Sequence, residues 1–388
     1  MTLPSPSPLA AHWDLDPEVV FLNHGSFGAC PRIVLDEQRD WRRRLEREPV
    51  LFLGRELESL LAAPRAELAR LCGCDADDLA LVANATAGVN TVLRSLSFAA
   101  GDELLVTDHE YNACRNALDF VAARAGARVV TVPLPLPVRS PAQVHDAVVA
   151  AATARTRLLL IDHVTSPTGL VLPVETIVPA LAARGIDTLV DGAHAPGMLP
   201  LDLDRLGAAY YTGNCHKWLC TPKGSALLHV RRDRQAGIRP LSISHGANSP
   251  RTDRSRFRLE FDFTGTDDPT PFLCVPAALR FLGGLLPGGL PALQAHNRDL
   301  ALRGRALLQT RLAALPLCPD TMIGSLASVR LPADDAAPVD GVDALQARLF
   351  ARDRIEVPVM RLFAQRLLRI SPQAYNAPAQ YEYLAARL

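Results

Sequence analysis

Lysine occurs only twice in these 388 residues, at Lys217 and Lys223, and arginine supplies the remaining positive charge. Arginine stays protonated in proteins, whereas a buried lysine can lose its proton and attack a carbonyl. Lys217 lies in Y-Y-T-G-N-C-H-K-W-L-C, just after a short apolar run. An amine nucleophile is therefore the first chemistry to weigh, against a solvated surface lysine. Lys223, in T-P-K-G, reads as an exposed turn. Other polar clusters also follow apolar runs. Asn84-Ala85-Thr86 ends one run and opens a helical stretch, which makes an anion cradle from free backbone N–H groups and the helix dipole. Asp108-His109-Glu110-Tyr111, Asp162-His163-Val164-Thr165-Ser166 and Asp191-Gly192-Ala193-His194 follow others.

An anion cradle, a carboxylate and a lysine are together the parts that pyridoxal phosphate needs. Its phosphate takes the helix N-terminus, its aldehyde takes an amine, and a carboxylate keeps its ring nitrogen protonated. Asp191 is the expected carboxylate and Lys217 the expected Schiff-base lysine. The amine's reference pKa of roughly 10.4 must fall for this, which burial and a cationic His216 would promote. Asp191 could instead cap a helix. The Asp162-His163, Asp191/His194 and His109-Glu110 pairs could instead ligate a metal. A metal would leave the lysine and the cradle without a role, so no metal site is expected. No G-x-G-x-x-G or Walker pattern announces a dinucleotide or nucleoside triphosphate.

These clusters need a scaffold that brings strand ends together. Between about 79 and 230, D-L-A-L-V-A, E-L-L-V-T-D, A-R-V-V-T-V, R-L-L-L-I-D-H-V, D-T-L-V-D-G, A-A-Y-Y-T-G and S-A-L-L-H-V alternate with helical stretches. Such alternation predicts an α/β fold with a mostly parallel sheet covered on both faces. Ligands then bind at the carboxyl ends of strands. The P-L-P-L-P run at 133–137 predicts an extended connector. Residues 1–45 read as an arm and helix, 46–270 as the large domain and 271–388 as a smaller α+β domain. Forty-one basic residues balance forty-one acidic ones, so no global field favours nucleic acid or membrane. The eight cysteines show no C-x-x-C pair and read as reduced thiols. With no signal-peptide pattern and no run of roughly 20 apolar residues, a cytoplasmic enzyme is expected.

The chain resembles the class V aminotransferase-like enzymes of fold type I, the isopenicillin N epimerase branch in particular. F-L-N-H-G-S-F-G-A-C-P-R, T-D-H-E-Y-N-A, V-D-G-A-H-A-P-G-M-L-P-L-D-L-D-R-L-G, H-K-W-L and R-I-S-P-Q-A-Y-N carry the resemblance, in order and over nearly the whole length. It implies that Lys217 bears the pyridoxal phosphate, that Asp191 meets the ring nitrogen, and that His194 and Ser166 lie near the ring hydroxyl. Ala85, Thr86, Asn214 and His216 would hold the phosphate. Tyr111 takes the place where many relatives stack a histidine on the ring, with an ordinary core aromatic as the competing reading. Thr266 would reach the phosphate of a partner subunit, implying a homodimer with a shared active site. Arg369 would bind the α-carboxylate of an amino-acid substrate, and Asn23 and His24 would border the substrate space.

The resemblance leaves several reactions open. The stretch before Arg369 holds no cysteine, which argues against the persulfide route of cysteine desulfurases. Amino-acid epimerisation is the leading expectation, with a C–S (β-elimination) lyase or an aminotransferase as alternatives. A pyridoxal-phosphate-binding protein without catalysis is the reading from another class.

Overall fold

The computed structural model describes residues 3–333 and 338–388. Near the start, Val20–Phe21 (β1) forms a short strand, and Arg32–Arg47 forms a helix whose arginines and acids face solvent. All seven strand expectations are met, as Leu79–Val82 (β2), Glu103–Thr107 (β3), Arg128–Val132 (β4), Thr156–Asp162 (β5), Asp187–Asp191 (β6), Tyr210–Asn214 (β7) and Ala226–Val230 (β8). They build one sheet in the order β2-β8-β7-β6-β5-β3-β4, in which β8 alone runs against its neighbours.

Period-two alternation divides the apolar side chains between two cores, because successive strand residues point to opposite faces. Leu105, Leu159, Ile161, Val190, Tyr211 and Leu227 pack on one side. Leu104, Val106, Leu158, Leu160, Leu189 and Leu228 pack on the other. Helices cover both faces, which is why these strands read as unbroken apolar runs. The chain reverses direction across the sheet between β3 and β5, so the crevice at their carboxyl ends is the place where such folds bind ligands. Residues 133–137 connect β4 to the next helix without regular structure, as expected.

The C-terminal part holds an antiparallel sheet of Ala327–Arg330 (β9), Val359–Leu362 (β11) and Gln365–Ile370 (β12), ordered β11-β12-β9. The helices Gly289–Leu312 and Pro378–Ala385 pack together beside it. The N-terminal arm joins this part, since β1 pairs in parallel with Ile355–Glu356 (β10). No single helix among the described residues is long and apolar enough to cross a membrane.

Candidate active site

Lys217 follows β7 by three residues, and its main chain is clamped by His24, whose Nε2 lies 3.0 Å from the Lys217 carbonyl oxygen. The Lys217 amine lies 3.3 Å from Nε2 of His194. Indole N–H can only donate, so Trp218 Nε1 at 3.4 Å makes His194 Nδ1 an acceptor. Burial holds His194 neutral, its pKa well below the usual value. The ring proton therefore sits on Nε2 and points at the Lys217 nitrogen, an arrangement suited to an unprotonated amine. Burial, then the cation of Arg369, pull the Lys217 pKa down to about 8, partly offset by Asp191 and Asp162. The expected cation, His216, is not one. Burial lowers its pKa to about 4, so Arg369 fills that role.

Adjacent strand ends supply the carboxylates. Asp162 on β5 and Asp191 on β6 are register partners, which sets them side by side. Asp191 accepts from the Ala193 N–H at 2.9 Å and the Cys114 thiol at 3.0 Å. Asp162 has one oxygen without a partner, and burial beside Asp191 pushes its pKa well above the carboxylate range.

The anion cradle is the start of the helix Ala85–Ser95. Asn84 caps it by accepting from the Ala87 N–H at 2.8 Å, and the Asn214 side chain accepts from the Ala85 N–H at 2.8 Å. The Thr86 N–H and hydroxyl have no partner among the described residues and border the pocket. Gly88 lets this helix close on β7, because a Cβ there would lie 2.2 Å from Thr212 Oγ1. His216 donates Nδ1–H to the Ser225 carbonyl at 2.9 Å. Its Nε2 can donate to a phosphate only once the ring is protonated, which a bound dianion favours.

Arg369 on β12 is buried and reaches across from the C-terminal part. Nη1 donates to the Ser166 carbonyl at 2.7 Å and hydroxyl at 3.3 Å. Nη2 donates to Ser26 Oγ at 3.0 Å and Asn23 Oδ1 at 3.4 Å. Its Nε–H has no partner. Asn23 is fixed in turn by donating to Glu356 at 3.2 Å. Tyr111 is not a core aromatic. It is 44% exposed and stands at the N-cap of the helix Asn112–Ala125. Burial lowers the Arg369 pKa to about 10, and Tyr111 offsets a part of that.

A cavity of about 340 Å³ gathers Ala85, Thr86, Tyr111, Ser166, Asp191, His194, Asn214, His216 and Lys217. Four expected residues lie outside this lining. Arg369 borders it through its bonds to Ser166 and Ser26. His24 is fully buried against the Tyr375 hydroxyl, 2.8 Å away, and supports the Lys217 backbone instead of bordering substrate space. Asn23 touches the site through Arg369 alone. Thr266 is exposed on the loop after the helix Arg256–Phe261, outside this cavity. Lys223, expected to be a plain surface turn, donates to the Gly28 carbonyl at 2.6 Å and lines the cavity mouth. Sequence reasoning missed Ser26 and Cys114, whose partners lie 343 and 77 residues away.

The residues present fit pyridoxal phosphate: a lysine with a lowered pKa, an aspartate at the end of the adjacent strand, and a helix start with free donors. The chain is 39% identical over 390 residues to an isopenicillin N epimerase of Streptomyces clavuligerus, covering 96% of this chain and 95% of the relative. It is 29% identical to a probable chloroplastic L-cysteine desulfhydrase of Arabidopsis thaliana, covering 95% and 82%. A solved structure of C-DES with glycine covalently linked to its PLP cofactor superposes with a TM-score of 0.81 at 23% identity, covering 97% of this chain and 98% of that one. The family model for class-V aminotransferases matches residues 33–320. The chain belongs to the class-V aminotransferase family.

Proposed function

We propose that the protein is an amino-acid epimerase acting at Cα. The carrying observation is that the Lys217 amine and the Tyr111 phenol line one cavity, and that the Arg369 guanidinium donates to Ser166 and Ser26 of its lining. Bound pyridoxal phosphate supplies the electron sink that stabilises negative charge at Cα. Thr86, Asn214 and His216 would hold the phosphate, and Asp191 would keep a proton on the ring nitrogen. Arg369 orients the substrate through its α-carboxylate, for which its unpartnered Nε–H is available. With the cofactor bound, the Lys217 amine would act as the base that takes the Cα proton. Its pKa of about 8 suits a base working near neutrality. Tyr111 returns a proton from the opposite side, which inverts the centre.

The relative at 39% identity supports this reading. The L-cysteine desulfhydrase relative supports a second, a C–S lyase in which one face suffices and a sulfur leaving group departs from Cβ. No cysteine lines the cavity among the described residues, which counts against a persulfide-forming desulfurase. Incubating L-amino acids with the enzyme in heavy water separates the chemistries. Deuterium at Cα with loss of chirality is expected. Release of pyruvate and ammonia would favour the lyase, and a requirement for a keto acid would favour a transaminase. We also read the chain as a homodimer in which Thr266 reaches the partner's phosphate site. Sedimentation equilibrium should then give twice the 41.9 kDa chain mass, and a monomer with full activity would end that reading.

A further inference from the structure

Glu110 has no part in the scheme above, yet its carboxyl group lies beside Asp191, which lines the floor of the same site. Both Oε atoms are buried without a partner in hydrogen-bond geometry, and the Tyr111 backbone N–H nearby offsets only part of the burial. A Glu110 oxygen, Cys114 Sγ and an Asp191 oxygen lie within 4.8 Å of one another. The two acids are unequally supplied with donors. Asp191 receives the Ala193 N–H and the Cys114 thiol, and Glu110 receives neither. Two carboxylates this close in a buried site do not both ionise, and the one with donors keeps the charge.

The groups around Glu110 reinforce the inequality. Asp162, at the end of β5, is a third acid facing the same floor. Arg115, on the helix that follows Glu110, is the cation acting on it, and that guanidinium is engaged with Asp119 at 3.0 Å. Lys217 faces Asp191 and Asp162. We propose that Glu110 is a positioning residue that stays a neutral acid, so that the negative charge of the Glu110–Asp191 pair remains on Asp191. Burial first, and then Asp162 and Asp191, push the Glu110 pKa well above the carboxylate range, in the same direction. The consequence falls on Lys217. Asp191 and Asp162 already raise the proton affinity of its amine, and a further anion on this floor would raise it more. That consequence rests on Lys217 being the nucleophile, whereas the protonation of Glu110 does not.

The test uses the full-length chain freed of cofactor. The infrared difference between parent and Glu110→Gln at neutral pH should show the loss of one un-ionised carboxylic acid band that shifts in heavy water. Loss of an ionised carboxylate band instead would overturn the proposal. An acid whose folded pKa is raised destabilises the fold progressively as pH climbs above the unfolded value of about 4.3. The parent should therefore lose stability over that climb, and Glu110→Gln should lose less; parallel curves would count against the proposal. The Lys217 titration, read from the pH dependence of its acylation, should stay where it is in Glu110→Gln. A tenfold gain in unprotonated amine at fixed pH would mean that the parent Glu110 is charged. Glu110→Met removes the carboxyl without an amide and gives the same three readings should the Gln variant fold poorly. A parent that binds no pyridoxal phosphate would end the functional reading above while leaving the infrared result intact.

Discussion

Replacing Lys217 by methionine should make the cofactor-free chain more stable at neutral pH while abolishing activity. The Lys217 pKa falls from 10.5 to about 8 on folding, with burial the largest cause and Arg369 the second. At about 1.4 kcal/mol per unit, holding this amine protonated in the folded chain costs up to ~3 kcal/mol. The sign follows from proton counts. Between about pH 8 and about pH 10.5 the folded chain binds fewer protons than the unfolded one, so this group adds stability as pH rises through that window. Below pH 8 the full penalty applies. Methionine keeps most of the apolar stem and never carries the charge, so Lys217→Met should gain up to ~3 kcal/mol at pH 7 and nothing above about pH 10.5. Guanidinium unfolding at several pH values measures this. All eight cysteines titrate in the opposite sense over part of this range, because burial raises their pKa values. Only the difference between parent and variant therefore isolates the lysine. Parallel pH curves, or a variant less stable at pH 7, would refute a buried amine poised to lose its proton.

Arg369→Met should raise KM for amino acids by roughly 10- to 100-fold, the worth of a lost charge-assisted pair. It should also move the Lys217 titration upward, since Arg369 is the second cause lowering it; steady-state kinetics and lysine acylation read the two effects. Asp191→Asn should keep the cofactor on Lys217 but cut kcat by roughly 10²–10³-fold through lost electrostatic stabilisation, seen as unchanged cofactor content with slow turnover. Tyr111→Phe should keep deuterium exchange at Cα while suppressing inversion; equal loss of both would remove Tyr111 from the opposite face. Gly28 has φ +73°, and a Cβ there would lie 2.0 Å from the His216 carbonyl oxygen. Gly28→Ala should thus cost about 1–3 kcal/mol in unfolding experiments and lower cofactor retention.

The scaffold was legible because each sheet strand is a short apolar run closed by a polar residue. In a doubly covered parallel sheet those closing residues necessarily gather at one edge. Lys217, Asp191 and the Asn84 cap could be read for that reason. Strand order could not, since the reversed β8 carries the same apolar pattern as its parallel neighbours. Contacts made across long sequence distances were also silent. Ser26 and Asn23 meet Arg369 from the far end of the chain, and nothing local in F-L-N-H-G-S-F-G marks them as its partners. The polar look of His24 was misleading in a different way. A buried neutral imidazole can satisfy both ring nitrogens inside the protein, and His24 spends them on Tyr375 and the Lys217 carbonyl. The His216 expectation failed for a related reason, because burial outweighs the help that the Ser225 carbonyl gives its charged form.

Several buried polar atoms in and beside the site have no partner. Arg369 Nε, one Asp162 oxygen and both Glu110 oxygens are buried without partners, and each such group costs about 1–3 kcal/mol. Thr86, with its free donors, lines the cavity together with Lys217, and the Arg369 guanidinium donates to Ser166 and Ser26 of the same lining. On the proposed reading two anions, a phosphate and an α-carboxylate, complete these donors, and each would offset part of the desolvation already incurred. Binding is then coupled to folding, so stability should rise with cofactor concentration as RT ln(1 + [L]/Kd). Because the donors are fixed before either anion arrives, little reorganisation is left for the reacting centre. On that reading the fixed donors hold the ligands, and the lowered proton affinity of Lys217 suits it to work on Cα.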